Sequence, residues 1–244
     1  MHLKHALCAL LLCPLLAIAQ TRDDLQTIRY LAFSTSSHLL LYFNANAGTP
    51  DIRHADKYHA ELQQLNALLA QSASAELQEA GTHFQARIAE LEKQRDAAPQ
   101  LYPIWINPVL EAQARLDGLT QKLTNDSNAE DVSTQQLERL TLNVQRLLLY
   151  YQTRSFGSLA VYIDELKQDA PQSLDSAIRQ DLSALRSSLP GHSQVISGLE
   201  RKYNYVRGHL LQQDSKLVPG SAAYYLERIS AESRKLLYPL RRDP

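Results

Sequence analysis

The chain has 244 residues, 44% of them hydrophobic, with 25 basic side chains against 26 acidic ones. That is enough chain to bury a core and too apolar for a disordered polymer, and a charge so near balance lacks the basic footprint of a nucleic-acid binder. Past residue 19, 36 leucines stand against 16 valines and isoleucines, and the whole chain holds eight glycines. This bias predicts an all-α fold, because leucine loses little rotamer freedom in a helix whereas β-branched residues suit strands.

The first five residues, Met1 to His5, are short and basic, and an apolar run from Ala6 to Ile18 follows. Ala17-Ile18-Ala19 then places small residues before Gln20. This is the three-part pattern of a secretory signal, and it predicts cleavage after Ala19 and a periplasmic or secreted product with no transmembrane anchor. Cys8 and Cys13 are the two cysteines, and Met1 is the one methionine. The processed chain would therefore form no disulfide, and its stability would rest on helix packing.

Apolar residues then recur at three-and-four spacing, which predicts about eight antiparallel helices. The first, near 22–46, aligns Leu25, Ile28, Ala32, Leu39 and Tyr42, and Asn46 to Pro50 ends it. The second, near 50–70, aligns Ala55, Tyr58, Leu62, Leu65 and Leu69, and the third, near 74–96, aligns Leu77, Gly81, Phe84, Ile88 and Leu91. An irregular stretch from Pro99 to Pro108 precedes a fourth, near 108–124, through Val109, Ala112, Leu116, Leu119 and Leu123. Asn125 to Asp131 reads as a polar linker, and the fifth helix opens after it with Ser133 as its expected cap. Its seam runs Leu137, Leu140, Val144, Leu147 and Tyr151, then meets Arg154 and Gly157 before Leu159, Ile163 and Leu166 resume. A sixth near 173–189, a seventh near 193–213 and an eighth near 221–240 are separated by Pro190-Gly191 and Pro219-Gly220.

The two ends of this succession resemble each other. Leu39-Leu40-Leu41-Tyr42 returns as Leu147-Leu148-Leu149-Tyr150, and Leu62, Leu65, Leu69 returns as Leu182, Leu185, Leu189. The expectation is a signal peptide over 1–19 and two tandem four-helix bundle units, 20–125 and 132–244.

Several chemistries lack their residues. A c-type haem needs cysteines, a His/Met haem needs a methionine, and a di-iron bundle needs Glu-x-x-His on two helices. Gly-rich phosphate loops and hydrolase elbows are also absent from the sequence. His54 and His59 are five apart and diverge around a helix, so neither a metal nor a cofactor is expected.

Two patterns remain as candidate sites. Tyrosine stands four residues before arginine at Tyr150/Arg154, Tyr203/Arg207, Tyr224/Arg228 and Tyr238/Arg242. Such pairs stack on a helix, and phenols with guanidinium forks suit an anionic or aromatic ligand between helices. Arg154, beside Tyr150 and Tyr151, interrupts an apolar seam and is the first candidate, with Arg207 the second. Thr35, His38 and Tyr42 form a polar stripe in the first helix whose partners must be a facing helix, water or a ligand. The resulting expectation is an exported, non-enzymatic binding or adaptor module for another envelope protein. The alternative is a periplasmic small-ligand binder that holds an anionic or aromatic molecule in a Tyr/Arg pocket.

Overall fold

The computed structural model describes residues 21–44, 51–125, 131–156, 170–212 and 217–240. The expected signal peptide, the core of the 125–131 linker, the stretch from Gly157 through Leu166 and Arg242 lie outside the described residues. The described chain is all-helical, with no strand among the described residues. Its helices are α1 Arg22–Tyr42, α2 Ile52–Ala70, α3 Ala75–Glu92, α4 Pro103–Asn125, α5 Val132–Thr153, α6 Ala170–Ser188, α7 Ser193–Leu211 and α8 Pro219–Leu240.

Local chemistry sets the helix ends. Thr21 closes a capping box with Asp24, each side chain accepting the other's backbone N–H. Asp131, rather than Ser133, caps α5, accepting the N–H groups of Ser133 and Thr134. A carboxylate is the better cap there, since it also complements the positive end of the helix dipole. α4 opens at Pro103, five residues before the expected start, and carries Pro108 inside it. Pro108 leaves the carbonyl of Ile104 without its helical donor, and Ile104 is exposed, so solvent can serve that oxygen.

Most helices that follow one another in the chain also pack together, the exception being α4 and α5, which both lie on α1 instead. α1 lies on α2, α4 and α5; α3 lies on α4 and α2; α5 lies on α6 and α8; and α7 lies on α8 and α6. Two buried clusters result, one drawn mainly from α1–α4 and the other mainly from α5–α8. The triple-leucine runs cross between them. Leu41 of α1 belongs to the cluster of α5–α8, while Leu149 of α5 belongs to that of α1–α4. The third leucine of each run is thus exchanged across the α1–α5 contact, which explains why both helices need three leucines in a row.

Charge reinforces the same contact. Asp117 of α4 accepts from Arg29 of α1 at 2.5 Å and from Arg146 of α5 at 3.0 Å. Burial alone would raise its carboxyl, but the two guanidinium groups outweigh burial and hold it below the usual range. Arg22 of α1 reaches Glu138 of α5 at 3.0 Å in parallel. Between α2 and α3 a side chain fills the space over a glycine. A Cβ on Gly81 would stand 2.3 Å from Leu69 Cδ1, so a larger residue there would force the Leu69 side chain of α2 to move.

Candidate functional site

The Tyr/Arg pairs fall at three separate places. Arg154 stands at the C-cap of α5, its guanidinium 5.2 Å from the Tyr151 ring centre, and donates to the carbonyls of Leu210 at 3.3 Å and Gln212 at 2.8 Å. Its charge sits on the last carbonyls of α7, where a cation is favoured by the helix dipole. Tyr151 is buried and its hydroxyl accepts the N–H of Val218, while Tyr150 is half-buried beside it. Arg207 instead forms a two-pronged pair with Asp175 of α6 at 2.6 and 2.8 Å, and the Tyr203 hydroxyl donates to the same carboxylate at 2.8 Å. Burial would raise Asp175, yet Arg207 and Tyr203 together lower it, and burial with that same bond pushes the Tyr203 phenol up. Arg154 and Arg207 therefore engage different protein partners. Asp175 was invisible in the sequence because an acid beside Leu174 reads as the wet edge of a stripe.

Tyr224 and Arg228 occupy a third place, on the surface. Arg228 donates to the Tyr224 hydroxyl at 2.6 Å and its guanidinium lies 5.3 Å from that ring. Next to them, Tyr205 of α7 is 69% exposed and Tyr224 of α8 is 55% exposed. Tyr225 joins the two, its ring centre 4.7 Å from Tyr205 and 5.2 Å from Tyr224. The exposed Arg201 and His209 stand one turn to either side of Tyr205. From Arg201 to Leu211, α7 has no acid, and α8 from Pro219 to Arg228 has one, Glu227. Glu227 turns inward, to Lys57 at 2.6 Å and to His38 at 3.2 Å. Around Tyr205 and Tyr224 this surface is thus aromatic, with Arg201, His209 and Arg228 beside it, while Lys202 is paired with Glu232 of α8 at 2.8 Å.

The polar stripe of α1 splits in two. Tyr42 joins an aromatic group, edge-on to Phe43 and tilted against Tyr58, with Arg95 5.6 Å from its ring centre. His38 and Thr35 are buried, and His38 meets side chains from α2 and α8. Its Nδ1 lies 3.1 Å from His54 Nδ1, and its Nε2 lies 3.2 Å from Glu227 and 3.9 Å from Glu61. Ser34 donates to Glu61 at 2.7 Å. Burial, aided by the Lys57 charge, pushes the His38 ring down to about 3, and burial pushes Glu61 up to about 7. Although 3.2 Å apart, His38 Nε2 and Glu227 Oε1 do not meet in hydrogen-bond geometry, so the ring's hydrogen bond is the one with His54. This cluster ties α1, α2 and α8 together.

Among the described residues, no group of three or more His, Cys, Asp or Glu side chains is placed to hold a metal ion. No described helix is long and apolar enough to cross a membrane. Compared with known protein families, with curated proteins and with solved structures, the chain finds no match.

Proposed function

We propose that the chain is an exported, non-enzymatic helical adaptor of the bacterial envelope that binds an acidic segment of another envelope protein through its α7–α8 face. The contact of Tyr205, Tyr224 and Tyr225 beside Arg228 carries this reading. Tyrosine and arginine are the residue types that dominate protein–protein hot spots, since they offer large rigid area and directed charge at little entropic cost. Other large apolar side chains that reach solvent, such as Ile52, Ile104 and Val132, are spread over α2, α4 and α5. The absence of acids turned outward on this part of α7 and α8 supports a partner of opposite charge. The Met1–Ala19 pattern supports export.

A photoreactive amino acid at Tyr205, in cells that produce the chain, tests this. One discrete adduct is expected, lost with Arg228→Glu and retained with Arg228→Lys. The same probe at exposed Gln85 of α3 should give none. No adduct at Tyr205, or one shared with Gln85, would reject the reading.

A further inference from the structure

A concave surface lies at the other end of α8. It is a cleft of about 670 Å³ between α1, α5 and α8, walled by Tyr30, Leu142, Leu237 and Tyr238 and edged by Arg234 and Lys235. Of these, Tyr238 alone figured in the sequence reading, as the partner of Arg242 in the last Tyr/Arg pair. The volume falls in the range of about 300–1,000 Å³ typical of small-molecule sites. Its charges are unequal in availability. Glu138, on the α5 side, is already held by Arg22 at 3.0 Å and by Gln26 at 3.1 Å. Asp23 sits in the first turn of α1, where the helix dipole favours a carboxylate. On α8 the two cations are differently placed. Arg234 stacks on Tyr30, its guanidinium carbon 4.1 Å from the ring centre, and neither it nor Lys235 stands in an ion pair among the described residues. Glu61, which feels the Arg234 charge, is pushed up by burial to about 7 and is a weak counter-ion.

We infer that this cleft binds a small aromatic carboxylate, its ring against Tyr30, Leu142 and Leu237 and its carboxylate on Arg234 and Lys235. A guanidinium stacked on a phenol keeps its N–H edge free, and that edge is the part that matches a carboxylate in two bonds. The apolar walls give a flat ring its place. This site is independent of the α7–α8 face, because none of Tyr205, Tyr224, Tyr225 or Arg228 lines the cleft.

Titration calorimetry on the purified full-length protein, with 2-naphthoate as the probe, decides it. Saturable one-to-one binding is expected, with 2-naphthalenemethanol and acetate each at least tenfold weaker. Arg234→Met should weaken 2-naphthoate at least tenfold. Lys235→Met, at an exposed position where folding is not at risk, should weaken it several-fold. Tyr205→Ser should leave it unchanged. Absence of binding, equal affinity for the alcohol or for acetate, or indifference to both Arg234→Met and Lys235→Met would overturn the inference.

Discussion

α1 and α2 are almost equally long, yet α2 buries 5 of its 19 residues and α1 buries 15 of its 21. α2 buries one stripe, Ala55, Tyr58, Leu62, Leu65 and Leu69, sets the half-buried His54 and Glu61 beside it against α1, and turns most of its other residues to solvent. α1 is enclosed by α2, α4 and α5 and touches α8, so every residue from Leu31 to Tyr42 is buried, including Ser34 to His38. α5, its counterpart, likewise buries Glu138, Asn143, Gln145 and Gln152. In an outer helix, polarity marks the wet side. In an enclosed helix it does not: Glu138 holds Arg22 of α1 and Gln145 reaches Ser230 of α8, whereas the hydroxyls of Thr35, Ser36 and Ser37 and the amide of Gln152 are buried with no hydrogen-bond partner among the described residues. The paired ionisable groups of α1 and α5, Arg22, Arg29, Glu138 and Arg146, act as locks between helices, and substitutions at them should cost far more than substitutions at exposed α2 positions such as Asp56 and Gln63.

The sharpest break of that contrast is Asp117→Asn. It leaves the guanidinium groups of Arg29 and Arg146, both largely buried, facing a neutral amide. Removing one partner from a buried ion network costs about 3–5 kcal/mol, so urea unfolding should show a loss of that order. A loss below about 1 kcal/mol would mean that the α1–α4–α5 junction does not depend on charge.

Next in size is the effect of pH on the His38 cluster. Glu61 moves from 4.5 to about 7 on folding, so the folded chain holds the proton more tightly. Stability from this group is then present below pH 4.5 and lost as pH rises through 7, by at most about 3.5 kcal/mol at roughly 1.4 kcal/mol per pH unit. His38 moves the other way, from 6.5 to about 3, and its contribution is lost as pH falls through that window. Glu61→Gln keeps an acceptor for Ser34 and cannot ionise. It should exceed the native chain in stability at pH 8 and match it at pH 4, by thermal unfolding in parallel buffers. Equal pH profiles for the two proteins would remove Glu61 as the titrating group.

The same contrast explains what was legible in the sequence. The five-residue stripes of α2 and α7 could be read whole, because each has a wet side to set the period. α1 and α5 yielded one stripe each and hid the rest of their burial, since a helix surrounded on all sides has no period to find. The leucine triplets carried the missing signal, as a seam needs one leucine per turn and a helix shared by two clusters needs more. Pro108 looked like a helix start because the pattern of α4 begins there, although Pro103 opens it. Sites were less legible than helices. Tyr30 and Arg234 are 204 positions apart, and Asp117 meets Arg29 from 88 away; only folding brings them together. Tyr/Arg spacing within one helix, by contrast, could be seen directly, and it led to three unrelated surroundings.

The smallest effect belongs to Arg154, the residue that looked most conspicuous in the sequence. Its guanidinium stands half-buried on the Leu210 and Gln212 carbonyls, at the point where the N–H of Gln212 closes α7 on Gly208. Gln212 is exposed, so water can replace the guanidinium on its carbonyl, unlike the carboxylate lost at Asp117. Methionine in its place would keep an apolar stem against Tyr151 and remove the bonds and the dipole contact. A cation at a helix C-terminus contributes about 0.3–1 kcal/mol, and the charge-assisted bonds add a comparable amount once water competes. Arg154→Met should therefore cost about 1 kcal/mol in urea unfolding. Hydrogen exchange should locate that loss, with the Gln212 amide exchanging faster and the amides of α2 unchanged. A cost above about 3 kcal/mol, spread over both clusters, would instead make Arg154 a lock of the Asp117 kind and erase the distinction between enclosed charges and those at helix ends.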